Sequence, residues 1–274
     1  MTTGFPDRVA LGTMHGKEAA IAPPLAALGI ALHRADLDTD RFGTFAGDVP
    51  RAGDMLEAAR AKARAAADVT GLSTALASEG SYGPHPYVPF LPLGRELLLW
   101  LDTRSGREIV ETLTDSHPNY DQDTLSDPAA AAGFLTRIGF PKTAVIVQSA
   151  AGAPPLAKGI TDHAALDAAI RAAVSMSGTA LLQTDMRAHL NPRRMSMIGD
   201  LAQRLALRLA TPCPACTAPG FGRLRSLPGL ACRDCGSATG LIAADLYGCT
   251  ACSHEEQRPR AGDADPVHCP YCNP

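Results

Sequence analysis

The residues best suited to chemistry fall into two groups. The first is eight cysteines, all after residue 210, in four Cys-x-x-Cys pairs: Cys213 and Cys216, Cys232 and Cys235, Cys249 and Cys252, Cys269 and Cys272. Two thiolates two residues apart can grip one tetrahedral zinc from a tight turn, and two such turns close a structural site. The N-terminus carries no export pattern, so paired cysteines point to metal rather than to disulfides. Eight ligands make two four-cysteine sites for two structural zinc ions. Chain order suggests sequential pairing, with Cys213, Cys216, Cys232 and Cys235 on one ion and the remaining four on the other. A crossed arrangement, first pair with third, is the alternative.

The second group is polar and spread over residues 13–17, 38–51 (running on into Glu57 and Lys62), 78–85, 114–120 and 184–194. Each segment mixes charged or polar residues with Gly or Pro, after an expected strand or before an expected helix. Acids (Glu57, Glu79, Asp115, Asp185), histidines (His15, His85, His117, His189) and cations (Lys17, Arg51, Lys62, Arg187, Arg193, Arg194) recur across them. Loops after strands converge at one end of a wound sheet. Cations and helix N-terminal amides there would hold phosphate, and carboxylates would hold a divalent metal. Glu79 is the most pointed case, an acid ending the small-residue run 73–78 ahead of Gly80, Gly83, Pro84, His85 and Pro86. Taken singly, each has a plainer reading: a turn histidine, a solvated helix face, or an ion pair between Asp185 and Arg187.

The elements that must position these groups read as alternating strands and helices. Strands are expected at 8–13, 30–37, 73–78, 142–148 and 179–183. Helices are expected at 18–28, 54–69, 128–138, 164–175 and 192–209, with a hairpin over 96–114. The fold class is therefore α/β, a mixed central sheet flanked by helices over residues 1–210, with a small zinc-ribbon module over 211–274. The chain is 46% hydrophobic and 19% charged with net charge −3, which excludes a polyanion binder as a whole. Residues 211–274 hold five arginines against six acids and no lysine, so a structural or docking role is expected for that module. No apolar run reaches the roughly 20 residues of a membrane span, and a cytoplasmic protein is expected. Apolar surface on 192–209 would suit a homodimer.

Residues 12–17 (Gly-Thr-Met-His-Gly-Lys), 56–63 (Leu-Glu-Ala-Ala-Arg-Ala-Lys-Ala), Thr70-Gly71 and 77–80 (Ala-Ser-Glu-Gly) carry a family resemblance. Residues 9–83 resemble the opening half of the inosine/xanthosine triphosphate pyrophosphatase superfamily, including its branch acting on non-standard purine nucleotides. Residues 97–114 and 178–209 resemble the hairpin and closing strand and helix of that branch. The resemblance implies that Lys17 contacts a triphosphate, that Glu57 and Glu79 bind magnesium or activate water, and that Lys62 supports the phosphates. It departs at His15, where an Asn is expected, at Ser78-Glu79, which replaces a pair of acids, and at the His-Pro elements of His85 and His117. The cysteine module is foreign to those enzymes. The two-part layout is also similar to an uncharacterised bacterial family.

The expectation is a magnesium-dependent hydrolase of a nucleoside triphosphate or related phosphorylated compound. Glu57, Glu79, Lys17, Asp115 and His85 would be catalytic. Lys17, Lys62, Arg187, Arg194, His117 and His189 would hold the ligand. A non-catalytic module that binds a nucleotide or nucleic-acid end, with the zinc part docking a protein or nucleic acid, is the first alternative. A transition-metal enzyme centred on the histidines is the second.

Overall fold

The fold was analysed in a computed structural model, which describes residues 5–39 and 53–274. Asp40 and Arg51, and the rest of 40–52, lie outside the described residues. The chain divides into two compact units, one covering Phe5–Leu205 and the other Ala206–Pro274.

The first unit opens with β1 (Arg8–Gly12), α1 (Glu18–Ala26), β2 (Ala31–Arg34), α2 (Met55–Thr70), β3 (Thr74–Pro84), β4 (Pro92–Asp102) and β5 (Arg107–Asp115). The strands form one sheet in the order β2-β1-β3-β4-β5. The first three are parallel, and β4 and β5 continue as antiparallel hairpins. The chain leaves β1 for β2 on one side, then crosses back to place β3 on the other. Right-handed crossovers in opposite directions put α1 and α2 on opposite faces. The gap between the carboxyl ends of β1 and β3 is thus a topological switch point, where open α/β sheets receive ligands.

α2 begins in a capping box: Glu57 N–H donates to Asp54 Oδ1 at 2.8 Å, and Asp54 N–H donates to Glu57 Oε2 at 2.9 Å. Such a box satisfies two otherwise orphaned donors. The helix stops at Gly71 in the left-handed conformation. Its buried stripe is Ala58, Ala59, Lys62, Ala63, Ala66 and Ala67, a helical spacing of small residues interrupted by one cation. It packs on Ala75, Ala77, Leu97, Leu99 and Leu101. Burial of each leucine contributes about 2 kcal/mol. Side chains alternate along a strand, so Leu76, Ser78 and Gly80 of β3, and Glu96, Leu98 and Trp100 of β4, face the other way.

β6 (Gln122–Leu125), α3 (Ala132–Ile138), β7 (Val145–Gln148), β8 (Pro155–Ile160), α4 (His163–Ser177) and β9 (Ala180–Thr184) follow. They build a separate antiparallel sheet in the order β6-β9-β7-β8. Its core is Phe134, Val145, Val147, Leu166, Ile170 and Leu182 with their neighbours. β6 and β8 carry no apolar alternation in the sequence, so only their better-patterned partners were expected there. α5 (Pro192–Ala210) closes the unit and runs into the second. Among the described residues no helix is long and apolar enough to cross a membrane.

In the second unit, β10 (Gly222–Pro228), β11 (Ile242–Gly248) and β12 (Glu255–Pro259) form an antiparallel meander. One strand separates each cysteine pair from the next.

Candidate functional site

The meander decides how the cysteines meet. The chain reverses at each strand, so the first and third pairs return to one end of the sheet and the second and fourth to the other. Cys213, Cys216, Cys249 and Cys252 gather at the end marked by the rung Gly222, Gly248 and Glu255. Cys232, Cys235, Cys269 and Cys272 gather at the opposite end. The expected sequential pairing is therefore corrected to the crossed one.

The knuckles repeat a common geometry. The N–H groups of Cys213, Cys232 and Cys249 donate to the carbonyls of Ala218, Ser237 and His254, five residues on in each case. Thr217, Gly236 and Asn273 each donate to the first cysteine of their pair at 2.9 Å. Both clusters fit zinc. Their Sγ–Sγ separations are 3.8 Å (Cys213, Cys252), 3.7 Å (Cys216, Cys249), 3.9 Å (Cys232, Cys272) and 3.6 Å (Cys235, Cys269). A regular tetrahedron with Zn–S near 2.3 Å has edges of about 3.8 Å. Four thiolates with no open position suit two structural zinc ions rather than catalytic ones.

In the first unit, the β1–β3 switch point holds a buried cluster of charges. Lys17, at the start of α1, sends its Nζ to the Ser78 carbonyl at 3.3 Å and to Ser78 Oγ at 3.2 Å. On the α2 face of β3, Lys62 pairs with Glu79. On the opposite face, Arg194 Nε donates to Glu96 Oε1 at 2.5 Å, and Arg194 Nη1 donates to the Met186 carbonyl. Tyr82 donates to the same Glu96 oxygen at 2.9 Å, and the Arg194 guanidinium lies 5.3 Å from the Tyr82 ring centroid. Lys17, Lys62, Glu79, Glu96 and Arg194 are all buried, Glu96 completely.

Gly80 makes this close approach feasible. A Cβ there would collide with Arg194 Nη2 and lie 2.8 Å from both Glu96 carboxylate oxygens. Three cations thus face two carboxylates in a region of low dielectric. Each carboxylate has its own cation partner. Among the described residues the Lys17 ammonium contacts only Ser78. Burial, and then the repulsion of Arg194, outweigh Glu96 and Glu79 and lower its pKa to about 8. A desolvated ammonium with a donor to spare is suited to receive an anion.

Other expected residues are placed elsewhere. Glu57 is exposed and committed to the capping box, so the structure does not bring Glu57 and Glu79 onto one ion. Among the described residues, the groups of three or more possible ligands close enough to share one ion are the two cysteine clusters. His85 Nδ1 accepts the Tyr87 and Val88 N–H groups, both at 3.2 Å, which organises the β3–β4 turn. His117 is exposed, with Nδ1 2.9 Å from Ser116 Oγ. Asp115 takes a two-point contact from Arg193 at 2.9 and 3.1 Å. Burial works against its ionisation, but Arg193 and the His117 N–H hold the carboxyl below its usual range.

Asp185 is fully buried and accepts from Arg187 side chain and backbone and from Gly159 N–H, a structural ion pair. His189 stacks on His15 with ring centroids 5.1 Å apart, which ties the loop after β9 to the loop carrying Lys17. Burial, followed by Arg187, lowers the His189 pKa.

Sequence reasoning missed Glu96, and it singled out the segment 78–85 without giving Ser78 or Tyr82 a role of its own. Glu96 precedes the apolar run 97–101 and reads as a strand terminus. The available signal was its register opposite Gly80, which only the pairing of β3 and β4 reveals.

Comparison with known proteins finds no curated protein that matches the chain. No solved structure matches it either. One family model does match, over residues 62–274, which takes in Lys62, Glu79, Glu96, Arg194 and all eight cysteines. That span is well over half the chain, and the protein belongs to the family described as Domain of unknown function (DUF6671).

Proposed function

We propose that residues 5–205 bind the phosphate of a small phosphorylated molecule, a nucleotide foremost, just beyond the carboxyl end of β1, beside Ser78 and Glu79 of β3. The zinc module is a structural element beside that activity. One observation carries the reading. Lys17 is a buried ammonium at a topological switch point, beside two further cations whose charge is already matched by Glu79 and Glu96. A bound phosphate would supply a counter-charge to Lys17 and hold the lysine in its ionised form.

Hydrolysis of that ligand is a second reading, favoured by a specific arrangement. Lys17, Lys62 and Glu79, which the pyrophosphatase resemblance singles out, lie around the same stretch of β3. Ligand phosphates that drew Lys62 away would free the Glu79 carboxylate.

A panel of purine nucleoside triphosphates, with and without magnesium, separates the two. Saturable binding without release of phosphate or pyrophosphate supports recognition alone. Turnover that Glu79→Gln abolishes, with binding kept, supports the hydrolase. Absence of binding across the panel overturns both.

A further inference from the structure

The strand register of the zinc module gathers three arginines and two acids on one face. Arg223, Tyr247 and Glu256 lie opposite one another across β10, β11 and β12. A bulge at residue 224 returns Ser226 to this same face, opposite Asp245, which pairs in turn with Arg258. Arg260 joins them by donating to Asp245. The reverse face buries Ala244 and Leu246.

The arginines stand above the acids. Side-chain exposure is 50% for Arg223, 54% for Arg258 and 50% for Arg260, against 17% for Asp245 and 35% for Glu256. Asp245 and Glu256 work from below as struts that aim the guanidinium groups. Arg223 uses Nη1, toward Ser226 and Asp245, and among the described residues its Nε and Nη2 donors meet no acceptor. Arg260 commits Nε and Nη2 to Asp245 and retains Nη1. Arg258 lies 3.9 Å from the Tyr247 ring centroid, and one side of its guanidinium plane is covered by the ring. The other side is a flat cationic surface.

We propose that this face binds a single-stranded polynucleotide, with phosphates on Arg223 and Arg260 and a base stacked on the outer plane of Arg258. Guanidinium groups grip phosphate oxygens through paired N–H donors, and unstacked bases lie readily on guanidinium and aromatic planes. An acidic peptide would match the charge but would leave the Arg258 plane unused.

The test uses the full zinc-loaded chain and fluorescein-labelled 12-nucleotide dT and U oligomers, with anisotropy read from about 20 to 200 mM salt. Two phosphate contacts on a single strand predict a log–log salt slope of about −1.4. The triple variant Arg223→Gln, Arg258→Gln, Arg260→Gln should weaken binding tenfold or more while retaining two zinc ions per chain. Arg258→Tyr, which keeps a stacking plane, should recover part of the affinity. If the triple variant loses zinc, Arg258→Gln alone serves, with the same direction of change. Absence of oligomer binding at the lowest salt overturns the proposal. So does unchanged affinity in the zinc-loaded variants, or equal binding of a polyglutamate of matched charge.

Discussion

Substituting Cys249 by Ser removes one thiolate from the site that joins the first and third knuckles. The strands between the two sites are only seven, seven and five residues long. The large apolar side chains fully committed to the module interior are few, chiefly Phe221 and Leu246. Their burial is worth roughly 3–6 kcal/mol together. A structural zinc in a small domain supplies about 10–16 kcal/mol of apparent folding free energy. Loss of one ion therefore removes more than the apolar interior can offset. The second site then has no sheet to hold its two halves together, because each half hangs from a different strand of the same meander.

The expected outcome for Cys249→Ser is a zinc content well below one per chain by elemental analysis. Residues 211–274 should also become protease-sensitive, with Phe5–Leu205 left intact. Cys269→Ser, at the opposite end, should behave alike. Retention of one full zinc with a protected half-module would refute the reasoning, since two independent ribbons in series would give that result. A cadmium-substituted sample would report the pairing itself. Each metal should couple to the β-protons of Cys213, Cys216, Cys249 and Cys252, or of Cys232, Cys235, Cys269 and Cys272, and to no mixture of the two sets.

Three further outcomes are expected. The folded-state pKa of Lys17 is about 8 against an ordinary 10.5, so the unfolded chain binds more protons between those values. Stability should then rise with pH across that window, by up to ~3 kcal/mol, and Lys17→Met should flatten the rise in denaturant titrations at pH 7.5 and 10. Gly80→Ala would press a methyl group against Arg194 and Glu96. It should cost about 1–3 kcal/mol, read as a lower denaturation midpoint at unchanged slope, and a neutral effect would contradict the packing described. Thr217 holds φ 62° where the equivalent knuckle position carries Gly236 at φ 72°. Thr217→Gly should stabilise the module by about 1 kcal/mol, and a lower melting temperature would count against that conformation.

Much of the first unit is legible in residue patterns, and the reasons differ by element. α2 announces itself through its Asp54 cap, its alanine content and Gly71. Lys62 is conspicuous as one cation in a stripe of alanines, and Glu79 as an acid after a run of small residues, although β3 does not end there but continues to Pro84. The Glu96–Arg194 pair is not legible, because its members are 98 residues apart and meet only through the β3–β4 register and the docking of α5. Glu57, His85 and His117 are instead engaged close to home. Polar residues near turns bond locally first: Glu57 and His85 accept from backbone N–H groups and His117 meets the Ser116 hydroxyl, each within three residues of itself. The cysteine pairing is recoverable in principle from three short strands, one between each pair of knuckles. Their weak alternation (Arg-Leu-Arg-Ser in β10, Glu-Glu-Gln-Arg in β12) hides them.

Whether Lys17 receives a phosphate decides the functional reading. Isothermal titration of the zinc-loaded chain with inosine and adenosine triphosphates at pH 7 addresses this directly, alongside the Lys17→Met variant. Saturable binding is expected for the native chain and a loss of tenfold or more in the variant, with zinc content and melting behaviour of the module preserved. Native binding should also weaken as pH rises past about 8, where Lys17 gives up its proton. Equal affinity in the two proteins, or no affinity in the native one, would contradict a phosphate on Lys17.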